Sequence, residues 1–385
     1  MRTSLKLKSL LLVLILSGCG GSNEQANVPI LPPSPPPEPP PASACEATTS
    51  EVNWTALQTE NCERLSQYGL FVDPAQPTRD PNTNGRLYLL TTALFSDYAS
   101  KYRFLFLPPG SQVNYEEQEA FSFPVGSVLV KTFALPQDSA LSGAHNERLI
   151  ETRLLIHREN GWVALPYLWE GEEARLALAG ARVDHQMTHR DQTLTFTYEV
   201  PSQPQCKLCH QLNEAGVTRI SPIGLKAHLL NRSDATGQAQ LESWLGDGWL
   251  DRLPEAIPTA AALEDEAASL TARAKGYLDI NCAHCHRAEG FASISGLRLG
   301  FFQDHTQFSY GICKQPPGYD GGAAGLDYDI VPGHSGASIL PYRMSHLEAK
   351  DRMPPIGRAL VHEKAVDLIN RWIDAMDPNL GGCTP

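Results

Sequence analysis

The chain has 385 residues, of which 43 are acidic and 31 are basic, so its formal net charge at pH 7 is −12. That balance argues against a nucleic-acid-binding protein, which needs a basic face. Without its N-terminal leader and linker the chain keeps about 340 residues, which is enough for two or three domains.

The N-terminus predicts export and lipidation. Three basic residues precede the apolar run Leu10–Leu16, which is too short to span a bilayer and is typical of a signal peptide, here residues 1–18. The run ends in Leu16-Ser17-Gly18-Cys19, which resembles the lipobox of bacterial lipoproteins, so we expect an acylated Cys19. The glycine that follows Cys19 favours the outer membrane. We therefore predict a lipoprotein of the cell envelope that faces the periplasm; a plain secreted protein is the alternative.

Residues 19–47 form a proline-rich segment, with Pro-Pro-Ser-Pro-Pro-Pro at 32–37. Such a composition cannot bury a core and favours extended backbone, which predicts a semi-rigid tether. No later apolar run in the sequence reaches membrane-spanning length.

Residues 48–205 are expected to form an antiparallel β domain. Apolar and polar residues alternate over Thr193–Val200, which predicts a half-buried strand. Two further strand-like runs flank Glu159-Asn160-Gly161, and Asn-Gly is a strong hairpin signal.

Helical spacing appears further along the chain. Residues 206–264 are interpreted as a helical segment that carries the first of two cysteine motifs, and residues 265–385 as a domain similar to class I cytochrome c. In that domain Leu263–Ile280 leads into the second motif, and Glu363–Met376 forms an amphipathic C-terminal helix. The expected fold class is α+β multidomain, with an N-terminal antiparallel β domain followed by an all-α cytochrome c-like domain.

Two copies of Cys-x-x-Cys-His dominate the functional interpretation. In this motif two thiols can each form a thioether with a haem vinyl group, while the adjacent histidine binds the iron. A zinc knuckle would need four ligands per site, and a thioredoxin-like pair usually lacks the trailing histidine. We therefore predict two covalently attached c-type haems, with His210 and His286 as iron ligands. The motifs are Cys206-Lys207-Leu208-Cys209-His210 and Cys282-Ala283-His284-Cys285-His286.

The sixth ligand of the second haem is predicted to be Met353. This residue precedes Pro354-Pro355, and prolines stiffen a loop that can hold a thioether against iron. Met344 lies in a helix-like segment and is the alternative sulfur ligand. The alternative nitrogen ligands are His305, His334 and His346.

The sixth ligand of the first haem stays open at this point. Downstream of its motif lies His228, and upstream lie His185, Met187 and His189. The sequence does not select among them, and an open sixth position is a further alternative.

The cysteine count fits an oxidising compartment. Of nine cysteines, one is the lipobox residue and four belong to the motifs. The four that remain allow three disulfide connectivities, of which the shorter loops favour Cys45–Cys62 and Cys313–Cys383.

From about Leu65 to Ala375 the chain resembles the dihaem c-type cytochromes of Gram-negative bacteria, which are secreted or lipidated proteins. The resemblance implies two covalent haems and electron transfer, but no established substrate. Stretches that carry it are Ser96-Asp97-Tyr98-Ala99, Phe123–Phe133, Glu151–Leu155, Asp279–His286, Asp329–Gly333 and Arg352–Arg358.

The sequence therefore predicts a lipid-anchored periplasmic carrier that exchanges electrons with periplasmic donor and acceptor proteins. A fainter similarity to the β-sheet mono-haem cytochromes that oxidise small nitrogen compounds supports an enzyme alternative. That enzyme would be a haem-dependent oxidoreductase, peroxidase-like or acting on a nitrogen compound, with an open first haem. A redox-linked partner or scaffold of another envelope protein is the third alternative.

Overall fold

The computed structural model describes residues 42–46 and 50–384. The predicted signal peptide, the acylated Cys19 and most of the proline-rich tether lie outside these residues. From Ser43 onward the chain forms one compact unit. Within the described ranges, no helix combines the length and the apolar character that crossing a membrane requires.

A six-stranded antiparallel sheet organises the chain, and each strand pairs with the next one in sequence. The predicted hairpin is present: its two strands meet around Glu159-Asn160, where Arg158 pairs with Gly161. The strands are β1 (Gly85–Leu87), β2 (Ser100–Phe106), β3 (Val128–Pro136), β4 (Glu147–Arg158), β5 (Gly161–Glu170) and β6 (Glu173–Leu176).

The two faces of the sheet bury different parts of the chain, because successive side chains of a strand point to opposite faces. One face packs against the N-terminal segment, which includes helix α1 (Trp54–Thr59). The other face packs against segments that follow the first cysteine motif, through Leu105, Leu129 and Leu155. The middle strands are therefore buried on both sides, and polar groups on them need partners inside the protein.

A second antiparallel pair, β7 (Ala181–His189) and β8 (Gln192–Val200), follows the sheet. Strand β8 contains the predicted alternating run Thr193–Val200, and Phe196 and Tyr198 are its buried residues along with Val200. The sequence prediction of this strand is confirmed.

The region after β8 contains more β-structure than its helical spacing suggested. Helix α2 (Gln203–His210) is followed directly by a short hairpin of β9 (Gln211–Glu214) and β10 (Val217–Ile220). Two short helices, α3 (Ala227–Leu230) and α4 (Gln240–Gly246), complete the segment.

The expected all-α cytochrome c-like domain over residues 265–385 is wrong. The described part of this region has three α-helices, α5 (Leu270–Leu278), α6 (Ile339–Ser345) and α7 (Glu363–Asp374), and α5 packs against α7. Between α5 and α6, a stretch the structure describes throughout, the chain forms a π-turn, 3-10 turns, loops and parallel bridges. The large antiparallel sheet, not a helical domain, dominates the fold.

The physical reason for this error lies in the backbone of that stretch. Four of its glycines, Gly321, Gly322, Gly325 and Gly333, have positive φ angles, which interrupt any helix. The periodic segments at the two ends of the region therefore become helices, and between them only the short α6 does.

The disulfides of the structure are Cys45–Cys62 and Cys313–Cys383, the pairing that the sequence analysis favoured. The first closes the N-terminal segment beside the sheet, where both cysteines are buried. The second ties Cys383, after α7, to the loop that follows the turn Phe308–Tyr310.

Candidate functional site

The first cysteine motif forms the last part of helix α2. Cys206 and Cys209 are three residues apart on this helix, so both sulfurs lie on one of its faces. The helix is held against β5 by Gln203, whose side-chain amide donates to the carbonyl of Ala164 at 3.0 Å. Both cysteines and His210 consequently line one cleft.

His210 has one ring nitrogen engaged and the other left for a ligand. Its Nδ1 donates to the carbonyl oxygen of Ser221 at 2.8 Å, which orients the ring. Burial lowers the pKa of His210 to about 4, so the imidazole is neutral at pH 7. A neutral imidazole with a fixed Nδ1 presents Nε2 as a metal ligand.

The second motif follows α5 through the π-turn Asp279–Ala283. The amide of His286 donates to the Cys282 carbonyl at 2.9 Å, so the motif continues as a tight turn. The Nδ1 of His286 is hydrogen-bonded to Ser295 Oγ at 3.0 Å, and burial lowers the pKa of His286 to about 4. In both histidines Nδ1 is therefore hydrogen-bonded within the protein, which leaves Nε2 as the nitrogen for a metal.

A largely apolar cleft of about 1220 Å³, its open mouth included, adjoins the second motif. Both candidate methionines, Met353 and Met344, lie in its walls together with Cys282, Cys285 and His286. Met344 is 7% exposed and belongs to the core of α5 and α7, whereas Met353 is half-buried on a loop. Its amide donates to the carbonyl of Arg343 at 2.9 Å, which ties that loop to α6.

The alternative histidine ligands lie elsewhere. Within the described chain, the walls of this cleft include none of His305, His334 and His346. They do include His362, which sequence reasoning missed as a site residue. The ring of His362 stacks on Phe95 at 4.2 Å, and burial lowers its pKa to about 4. The only sequence signal was that a histidine precedes α7 where a helix-capping carboxylate is more usual.

The cleft beside the first motif has a similar size, about 1130 Å³, but a different wall. One side is the sheet, whose apolar residues there include Leu129, Leu155 and Ala164. Two cationic residues, Lys131 and Arg153, lie among them, and sequence reasoning missed both. Their strands were predictable, but nothing in a strand pattern indicates that its charged residues face a cleft.

The four candidate sixth ligands for the first haem do not line this cleft within the described chain. His228 is fully buried and donates from Nε2 to Asp279 at 3.0 Å. His185 is hydrogen-bonded to the carbonyl of Pro136, His189 to Ser139, and Met187 is a core residue. All four have structural roles that a single sequence does not reveal.

The two motifs meet in the centre of the molecule. Cys285 Sγ donates to the carbonyl oxygen of Leu208 at 3.5 Å. The ligand atoms of Cys209, His284 and Cys285 lie within 4.8 Å of one another. The pKa of Cys209 is lowered, mainly because of the neighbouring thiol of Cys285. Residues 77 positions apart in sequence therefore form one sulfur- and imidazole-rich centre between the two clefts.

The side chains present fit two covalent haems. All four motif cysteines are free thiols, whereas the four cysteines outside the motifs that the structure describes are in disulfides. Each pair of thiols adjoins an apolar cleft and a histidine whose Nδ1 is engaged. Such a donor set suits thioether bonds and axial ligation by nitrogen.

Comparison with known proteins adds no relative: no family model matches the chain, no curated protein matches it significantly, and neither does any solved structure. The functional interpretation therefore rests on the two motifs and on the geometry around them.

Proposed function

We propose that this protein is an electron carrier with two covalent c-type haems, one on Cys206 and Cys209 and one on Cys282 and Cys285. The observation that carries the proposal is the contact between the motifs, since Cys285 Sγ lies 3.5 Å from the Leu208 carbonyl oxygen. Cofactors attached at touching motifs are close enough to exchange electrons inside one protein. The resemblance to dihaem cytochromes supports the same function.

The residues around each cleft hold and shield the cofactor. His210 and His286 bind iron through Nε2, while Ser221 and Ser295 fix the orientation of their rings. Met353 is the proposed sixth ligand on the second side. A haem supplies one-electron chemistry at iron, and a methionine–histidine ligand pair raises its reduction potential. The apolar walls exclude water, so both oxidation states keep the same surroundings.

The proposed location is the periplasmic side of the outer membrane, with acylated Cys19 as the anchor. The proposed partners are periplasmic electron donors and acceptors. The formal charge of −12 suits a basic partner, because complementary charge steers encounter.

Covalent haem loading tests the proposal directly. The protein expressed with periplasmic haem attachment is expected to exceed its polypeptide mass by two haems that resist acid–acetone extraction. The paired variants Cys206→Ala/Cys209→Ala and Cys282→Ala/Cys285→Ala are each expected to retain one haem. A wild-type mass equal to that of the bare polypeptide would contradict the proposal.

A mononuclear metal centre is the second candidate function, and the proximity of Cys209, His284 and Cys285 favours it. Two thiolates and an imidazole with an open fourth position form a zinc-type donor set. This centre and the haems exclude each other, because thioether bonds would consume both cysteines. A protein that carries one zinc ion and no haem, and that shows four thiols once it is unfolded and the zinc removed, would establish the second candidate.

A further inference from the structure

Three cationic residues form a row across the large sheet. Arg103 on β2 lies directly opposite Lys131 on β3, and Lys131 lies directly opposite Arg153 on β4. Lys101 precedes Arg103 by two residues and therefore shares its face of the sheet. Like charges directly opposite one another destabilise a sheet, so this arrangement needs a compensating group.

The acidic side chains of the protein balance only part of the positive charge of this row. Arg153 pairs with the fully buried Glu151, from Nε to Oε2 at 2.8 Å, and Asp97 is the acidic neighbour of Lys101. In the described part of the chain, Arg153 is the only one of the four cations with an ion pair. Two carboxylates therefore face four basic side chains, so the row carries two positive charges in excess whenever all four side chains are protonated.

Two further observations show that neither water nor the rest of the protein compensates full protonation of this row. Arg103 is 7% exposed, and its Nη2 has no hydrogen-bond partner among the described residues. Lys131 has its pKa held well below the ordinary value, because of burial and because Arg103, Lys101 and Arg153 are near it. The ring of Phe133 lies 5.1 Å from Lys131 Nζ and 4.3 Å from the Arg153 guanidinium carbon. An aromatic face attracts cations more weakly than an anion does.

The row opens onto the first cleft. Lys131 and Arg153 line this cleft together with Cys206, Cys209 and His210. Both cations are only partly exposed, so an anion that enters the cleft would meet them away from bulk water, where charge pairing is strong.

We propose that Lys131 and Arg153, with Arg103 beside Lys131 in the sheet, form a binding site for carboxylate groups in the first cleft. The inference rests on the proposed haem attachment at Cys206 and Cys209. The carboxylates can come from two sources, the two propionates of that haem or a small soluble carboxylate. Two excess positive charges match the two propionates of one haem.

The test measures the reduction potential of the first haem in Lys131→Gln. The redox signal of the first haem is the one that disappears in Cys206→Ala/Cys209→Ala. Lys131→Gln is expected to lower the potential by about 59 mV, a tenfold change in the equilibrium constant for one electron, because a positive charge is lost. Lys131→Arg is expected to keep the potential. The matched control is Arg148→Gln, an exposed charge on the same strand as Arg153.

The pH dependence of the potential distinguishes a Lys131 that pairs with a propionate from a Lys131 that acts only through its charge. Propionates paired with cations stay ionised, so the wild-type potential is expected to show no propionate titration from pH 5 to 8. Burial lowers the pKa of Lys101 to about 7, so a slope near pH 7 that the wild type and Lys131→Gln share belongs to Lys101. An unpaired propionate in Lys131→Gln takes up a proton in that range, and its potential then varies with pH. If acetate shifts the potential of the wild type in a saturable way, and not that of Lys131→Gln, the source is a soluble carboxylate.

Two results would overturn the carboxylate site while leaving both haems attached. One is a Lys131→Gln protein whose potential and pH profile match those of Arg148→Gln. The other is a change of the first ferric haem from low spin to high spin in Lys131→Gln, which would make the amine an iron ligand. A wild-type protein with no haem on Cys206 and Cys209 would instead overturn the proposed function and, with it, this inference.

Discussion

In each of the two histidines proposed as haem ligands, one hydrogen bond leaves Nε2 as the free ring nitrogen. His210 and His286 each engage Nδ1 with an oxygen of the following loop, at 2.8 and 3.0 Å. His228, in contrast, commits Nε2 to Asp279 and stacks on Phe301. His189 also has its Nδ1 hydrogen-bonded, to Ser139, so a free Nε2 alone does not mark a ligand; the adjacent thiols and cleft distinguish His210 and His286.

Met353 is the residue on which the character of the second haem depends. Met353→Ala is expected to remove the weak near-infrared sulfur-to-iron band of the oxidised protein and to lower the potential of that haem. The reason is that a thioether stabilises ferrous iron better than water does. Visible and near-infrared spectra combined with a redox titration measure both effects.

Met344→Ala is the matched control, because Met344 lines the same cleft but belongs to the helical core. It is expected to reduce stability and to keep the band. A band that survives in Met353→Ala and vanishes in Met344→Ala would reverse the assignment.

The π-turn Asp279–Ala283 joins helix α5 to the second motif, and one buried carboxylate anchors it. Asp279 accepts hydrogen bonds from Lys226, His228 and the amide of Phe301, each at 3.0 Å. Burial alone raises the pKa of Asp279, but Lys226 and the hydrogen bond from His228 outweigh burial and hold the pKa well below its usual range. This carboxylate connects the α3 segment, the motif and the loop at Phe301.

Asp279→Asn is expected to lower the free energy of unfolding at pH 7 by about 3 kcal/mol, because it removes the buried carboxylate that pairs with the partly exposed Lys226 and with His228. Because folding lowers the pKa of Asp279, the stability that this carboxylate contributes depends on pH. The contribution is complete above the unfolded pKa of 3.8 and is lost as the pH falls through the folded pKa. Denaturant unfolding at several pH values measures both effects.

The control is Asp367→Asn, which removes an exposed carboxylate paired with Arg371 on α7. Exposed pairs contribute little, so its unfolding midpoint is expected to stay close to that of the wild type. Equal losses in Asp279→Asn and Asp367→Asn would show that the buried network is not the anchor.

The molecule as a whole places two motifs from distant parts of the chain between a sheet and a group of short helices. One consequence is that the first cleft borders the sheet and the second borders the helices, so the two cofactors have different surroundings. Cations line both clefts, Arg343 and Arg358 the second and Lys131 and Arg153 the first, but of the two only the second is lined by methionines in the described chain. Haems proposed for these two clefts would therefore have different potentials, which would give electron flow a direction.

The carrier and the enzyme alternatives differ in the coordination of the first iron. A carrier is expected to show low-spin ferric signals from both haems and no rapid carbon monoxide binding after reduction, because both irons have six ligands. Electron paramagnetic resonance of the oxidised protein and stopped-flow mixing of the reduced protein with carbon monoxide measure this. A high-spin signal that binds carbon monoxide, and that is absent from His210→Ala, would favour the enzyme.

The sequence by itself determined the local features. The Cys-x-x-Cys-His spacing, the alternating run that became β8 and the hairpin at Asn160-Gly161 depend on neighbouring residues, and periodicity or turn chemistry reveals them. The disulfide pairing also followed the shorter loops, because closing a short loop costs less chain entropy.

Only the tertiary structure decided how these features combine. The C-terminal region is not an all-α domain, because helical periodicity at its two ends carries no information about the glycine-rich loops between them. The contact of Leu208 with Cys285, and the row that joins Arg103 to Lys131 and Arg153, arise between segments far apart in sequence. Long-range packing sets the register of strands and the position of loops, and a single sequence does not display that packing.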